Sequence, residues 1–101
     1  MKQYKYAEEW NMYPGDDLNC KSEEERKERG MLLNPDVKID FPVPLYIQKK
    51  LEALDECYEI GAWYAWDNIL SALEMDAKEA YAYHKISYYE RYQLLNRFYY
   101  W

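Results

Sequence analysis

The sequence predicts a mainly α protein: a small three-helix bundle over residues 45–101, preceded by an irregular or short two-stranded segment over 1–44. Three observations carry that prediction. All four prolines (14, 35, 42 and 44) lie in the first part, whereas the second holds a single glycine, at 61. Apolar residues in the second part recur every three or four positions, the period of a helix face. Proline or serine stands where two of those periodic runs begin, as helix starts require. A length of 101 residues suits one domain, so 1–101 is read as a single unit with one modest core.

The elements follow in chain order. Lys2–Tyr6 and Val37–Phe41 alternate polar and apolar residues, the pattern of a half-buried strand. Paired as a two-stranded ribbon, they make the fold α+β. Pro14-Gly15-Asp16-Asp17 marks a turn. Ser22 and Glu25 form a capping box, opening a short solvated helix that runs to about Arg29 and stops at Gly30.

Pro44 occupies a favoured first helical position, and Ile47, Leu51, Leu54 and Tyr58 then form a stripe. Gly61 suits the end of this 45–60 helix. In the next helix, predicted over 62–84, residues 62, 66, 69, 73, 77, 80 and 84 fall within about 80° of one another at 100° per residue. Trp63, Leu70 and Tyr81 widen that face on one side, and Ala65, Ala72 and Tyr83 on the other. So broad a face predicts contact with two elements. Asp76–Glu79 also fits a capping box and marks a competing break near Met75.

Ser87 and Glu90 form a third box, opening a helix over 88–100 with Ile86 before it. This helix carries two apolar stripes. Tyr88, Tyr92, Leu95 and Tyr99 form the first, and Leu94, Phe98 and Trp101 the second, roughly 120° away. One stripe is enough to dock a terminal helix. The second, Leu94, Phe98 and Trp101, is therefore a candidate surface for a partner or for a homodimer through the C-terminal helix.

Few residues suggest chemistry. Cys20 and Cys57 are far apart in sequence, and neither belongs to the close ligand pairs of a zinc site. Both read as reduced thiols, with Cys57 a small packed residue. Asp16–Asn19 matches the opening of a calcium loop but lacks its alternating ligands, central glycine and closing glutamate. The three glycines are isolated, so no phosphate loop exists. His84 is the single histidine, and neither Asp76 nor Glu79 is spaced to orient it on a helix. It reads as a packed or half-exposed residue near a helix end. No catalytic residue, metal or cofactor is predicted, and a small enzyme or ligand-binding protein around His84 is the weaker alternative.

Charge supplies the functional expectation. With 13 basic and 19 acidic side chains the net charge is −6, which opposes binding to a nucleic-acid duplex. No apolar run approaches the ~20 residues of a membrane span, and the N-terminus lacks the apolar region of a secretory signal, predicting a cytoplasmic protein. Residues 52–79 hold 8 acids and one lysine. Glu52, Asp55, Glu56 and Glu59 share one face of their helix, and Asp67 and Glu74 lie on the polar side of the next. Packed as a hairpin, the two helices combine these six into one negative field, a solubilising surface or a candidate binding face.

Residues 81–101 hold 9 aromatics and are mildly basic through Lys85, Arg91 and Arg97 against Glu90. Such a segment serves a protein interface or, alternatively, stacks the bases of a single-stranded nucleic acid. The chain is read as a small, acidic, non-enzymatic protein-binding module. In size, charge and lack of catalytic motifs it resembles the small acidic orphan proteins of phages and mobile elements, including anti-CRISPR and anti-restriction proteins. That resemblance implies inhibition of a basic nucleic-acid-handling enzyme by acidic mimicry and assigns no residue roles.

Overall fold

The computed structural model describes residues 3–98. They form four helices: α1 (Glu23–Glu28), α2 (Leu45–Ile60), α3 (Trp63–Ala82) and α4 (Tyr88–Asn96). The protein is mainly α, and no strand occurs among the described residues.

α2 and α3 make an antiparallel hairpin. The start of α2 meets the end of α3 through Lys50 and Asp76, 2.5 Å apart. At the other end the Tyr58 and Trp66 rings lie 6.1 Å apart. α2 begins at Pro44, whose carbonyl accepts the Ile47 and Gln48 amides at 3.0 Å each. It buries Ile47, Leu51, Ala53, Leu54, Cys57 and Ile60. Gly61 ends it in the left-handed conformation at φ 82°, its N–H donating to the Cys57 carbonyl at 2.9 Å. Only Gly61 and Ala62 separate the two helices.

α3 is continuous through Met75. The competing box at Asp76 does not form because the Asp76 carboxylate is engaged across the hairpin by Lys50. The helix stops at Ala82, two residues before the predicted end. His84 takes a left-handed conformation at φ 60° there. Its amide and that of Lys85 return to the Tyr81 and Ala80 carbonyls at 3.0 and 2.8 Å, a Schellman closure. α3 packs on both α2 and α4, as its broad apolar face requires.

α4 begins with a complete capping box, in which Ser87 and Glu90 each accept the other's backbone amide, at 3.1 and 2.8 Å. It runs back along α3. Tyr81 and Tyr88 touch edge-on near the link, ring centroids 5.8 Å apart. Phe98 meets Trp66 edge-on at 5.9 Å near the far end.

Its buried stripe is the reverse of the predicted one. Leu94 and Phe98 are buried in the core at 0% and 1% exposure, so they are not a free binding surface. Tyr88 and Tyr92 point outward at 65% and 53%. Leucine and phenylalanine have no polar atom to desolvate, whereas a buried tyrosine hydroxyl needs a partner. Trp101 and Tyr99 lie outside the described residues.

The predicted ribbon is absent. Tyr6 donates its backbone N–H to the Glu56 carboxylate at 2.9 Å rather than to a strand. The chain then coils, with the Trp10 and Met12 amides returning to the Tyr6 and Ala7 carbonyls at 3.2 and 2.7 Å. Val37 closes a turn on Asn34, and its carbonyl accepts from the Arg97 guanidinium at 2.6 Å.

Ser22 caps α1 as predicted, but the Glu25 carboxylate accepts the Lys21 amide rather than that of Ser22. α1 buries no residue. It is held instead by Arg26, which donates to the Tyr58 and Glu59 carbonyls at 2.6 and 3.0 Å. Arg26 thereby supplies to the end of α2 the cation its own last turn lacks.

Candidate functional site

Two surfaces matter, and they have different fates. The acids on the face of α2 are partnered from within the chain, while Asp55 and Glu59 remain exposed. The Tyr6 hydroxyl donates to Glu52 at 2.6 Å, the Gln48 amide adds a bond at 3.1 Å, and Lys5 stands 4.0 Å away. The Tyr6 bond, with the second bond from Gln48, holds the Glu52 carboxyl below its usual range. The same contact pushes the Tyr6 phenol up to about 12, with burial and the Glu52 and Glu56 charges adding to it.

Glu56 accepts the Tyr6 amide, and the Tyr4 hydroxyl reaches Glu59 at 3.4 Å. Asp55 pairs with Arg97 at 3.7 Å, yet burial outweighs that cation and raises its carboxyl pKa. Asp67 is exposed on α3 and Glu74 is half-buried. The six acids flagged by spacing thus include four on α2 that bind the rest of the chain: three hold the N-terminal arm and one holds α4. The sequence signal missed was the alternating Tyr4-Lys5-Tyr6, whose donors match α2's acceptors.

The second surface is tyrosine-rich and lies on α4 and the end of α3. Tyr83, Tyr88, Tyr89 and Tyr92 are exposed at 69%, 65%, 67% and 53%. Tyr81, at 39%, joins them through its ring contact with Tyr88. The Arg91 guanidinium lies 5.8 Å from the Tyr81 ring. Gln93 donates to the Tyr89 hydroxyl at 3.0 Å and steadies that ring. A shallow cleft of about 170 Å³ opens between Tyr88, Arg91, Tyr92 and Leu95. Sequence reasoning placed its candidate surface on the opposite stripe, where Leu94 and Phe98 are buried. The usable signal was chemical rather than periodic: the stripe with hydroxyl tips is the one that tolerates water.

Two further clefts lie elsewhere. One of about 220 Å³ is lined by Lys38, Ile39, Gln48, Leu51, Asp55 and Arg97. The other, about 430 Å³, lies over Trp63 between the 17–21 loop and Arg29, which stacks on the Trp63 ring at 4.2 Å. His84 lines none of these three clefts; it is exposed at the turn after α3.

Cys20 and Cys57 are free and buried. Burial pushes the Cys57 thiol up to about 12 and that of Cys20 upward as well. No group of three or more metal-ligating side chains gathers among the described residues. Nor, among them, is any helix long and apolar enough to cross a membrane. No family model matches the chain, and comparisons with curated proteins and with solved structures find no significant relative.

Proposed function

We propose that the protein is a small non-enzymatic protein-binding module that engages its partner through the tyrosine face of α4 and the end of α3. One observation carries this reading. Tyr88, Tyr89 and Tyr92 stay exposed while Leu94 and Phe98 of the same helix fill the core. The exposed rings are therefore not needed to dock the helix. Tyrosine and arginine are enriched at the cores of protein interfaces, where rigid rings supply contact area at low entropic cost. The acidic-mimic form of the reading is the lesser one. Its carboxylates on α2 serve as acceptors for the chain's own donors, although Asp55 and Glu59 stay exposed there, as Asp67 does on α3.

The test compares partner capture from the source cell by wild type, a Tyr88→Ser, Tyr89→Ser, Tyr92→Ser variant and a Glu59→Gln, Asp67→Asn variant. The reading expects capture to fail with the tyrosine variant alone while its circular dichroism and melting stay unchanged. Retention by that variant, with salt-sensitive loss in the acidic variant, would favour mimicry instead.

A further inference from the structure

We infer that the cleft between Tyr88, Arg91, Tyr92 and Leu95 is an anchor site for an acidic side chain of the partner protein, presented beside an apolar one. This rests on the tyrosine face being the binding face and names the partner's chemistry there. Arg91 is a cation without an ion-pair partner among the described residues. Ion pairs among the described residues join Lys5 to Glu52, Lys50 to Asp76 and Arg97 to Asp55, and Arg91 is in none of them. Its Nε is buried with no hydrogen-bond partner, and its guanidinium lies 5.8 Å from the Tyr81 ring.

The adjacent carboxylate, Glu90, is committed to the Ser87 amide in the capping box. Among the described residues of α4 no other acid exists. A half-buried guanidinium left this way in a chain of net charge −6 is completed by an incoming carboxylate, whose planar pair of oxygens matches its fork.

The walls fix the rest of the chemistry. Tyr88, Tyr92 and Leu95 offer ring faces and a branched aliphatic group, so the acid arrives with apolar surface next to it. About 170 Å³ admits one side chain and falls below the ~300 Å³ at which small-molecule sites begin. Phosphate would also suit a guanidinium. A nucleic acid, however, brings a row of charges against the field of the whole molecule, whereas a single carboxylate meets Arg91 within one Debye length of about 8 Å.

The experiment is an NMR titration of the full chain with three matched probes: 3-phenylpropionate, 3-phenylpropionamide and 3-phenylpropylamine. The expected result is saturable movement of the Arg91 Nε–H and Leu95 methyl resonances. The carboxylate should bind at least about fivefold tighter than the amide, and the amine not at all. Arg91→Gln should erase the preference, and Arg91→Lys should keep part of it because the charge remains.

Equal binding of carboxylate and amide overturns the inference. So does preference for an eight-residue oligothymidylate, which would assign the site to nucleic acid. If the tyrosine variant loses its partner but Arg91→Gln keeps it, the cleft assignment fails and the binding face stands. If the tyrosine variant keeps its partner, the face itself fails.

Discussion

Replacing Gly61 by alanine tests how the N-terminal half is joined to the helical hairpin. Gly61 sits at φ 82°, and its carbonyl accepts the Cys20 amide at 2.8 Å. A Cβ there would overlap the Cys20 carbonyl oxygen and stand 2.9 Å from the Cys20 nitrogen. Both opposing atoms are backbone, so no side chain can swing away. Gly30 is a near-ideal control, because it has the same φ of 82° but nothing within 4 Å of a built Cβ.

Left-handed strain costs about 1–2 kcal/mol at either site. At Gly61 alone, overpacking adds about 1–3 kcal/mol and the displaced Cys20 bond about 1 kcal/mol. Gly61→Ala should therefore cost about 3–6 kcal/mol, much of a small domain's stability, against about 1–2 kcal/mol for Gly30→Ala. Urea unfolding followed by circular dichroism measures both. Gly61→Asn separates the causes, since asparagine relieves the strain but not the overlap. Equal losses at positions 61 and 30 would refute the reasoning, because they would mean that the Cys20 contact contributes nothing.

Three more predictions concern side chains. Phe98→Ala and Leu94→Ala should each cost about 2–5 kcal/mol in urea unfolding, whereas Tyr88→Ala and Tyr92→Ala should stay within about 0.5 kcal/mol. Larger losses at the tyrosines than at Leu94 and Phe98 would restore the predicted orientation of α4. Tyr6→Phe should cost about 1–2 kcal/mol at neutral pH, less than a fully buried charged bond because Glu52 is partly exposed. Glu52 has a lowered pKa when folded, so its contribution is complete above the ordinary carboxylate range and disappears as pH falls through the folded value. The Tyr6→Phe deficit should accordingly shrink toward pH 3, and a constant deficit would argue against the bond. Cys57, pushed up to about 12 by burial, should resist iodoacetamide at pH 8 until the chain unfolds, as mass spectrometry would show.

The helices were legible because each is announced locally. Pro44, Gly61 and the Ser87–Glu90 box are signals read within a few residues, and the structure uses them, with Pro44 at the N-cap of α2 rather than at its first helical position. What was not legible depends on partners distant in sequence. Periodicity finds two stripes on α4 but cannot rank them; Trp66, 32 positions earlier, selects Phe98. Alternation around Tyr4–Tyr6 suggests a strand because a strand offers donors a partner. Here α2 offers Glu56 and Glu52 instead. The same long-range pairing gives the acids of α2 partners within the chain, while Asp55 and Glu59 stay exposed. Charge counted along a sequence therefore does not reveal which carboxylates already have partners within the chain.

The N-terminal half illustrates a different way of folding, and it makes a final prediction. It buries few large apolar side chains, among them Tyr6, Met12, Met31 and Val37. Polar handles join it to the turn end of the hairpin. Arg26 holds the last carbonyls of α2, Tyr64 bridges the Tyr13 amide and the buried Asn19 side chain, and Trp63 donates to the Leu18 carbonyl at 2.9 Å.

Each such bond contributes about 1 kcal/mol and borders on solvent, whereas the α3 core residues Trp66, Ile69 and Leu73 are fully buried. The two halves should therefore open at different free energies. In native-state hydrogen exchange, α3 amides should exchange only through global unfolding, and the 13–31 segment through a smaller opening at least about 2 kcal/mol cheaper. Arg26→Gln should lower the second opening and leave the first unchanged, because the guanidinium meets the hairpin at its outer surface, at the Tyr58 and Glu59 carbonyls and over the half-buried Tyr58 ring. If Arg26→Gln lowered both by the same amount, the arm and the bundle would be one cooperative unit, and the acceptors on α2 would be part of the core rather than its clasp.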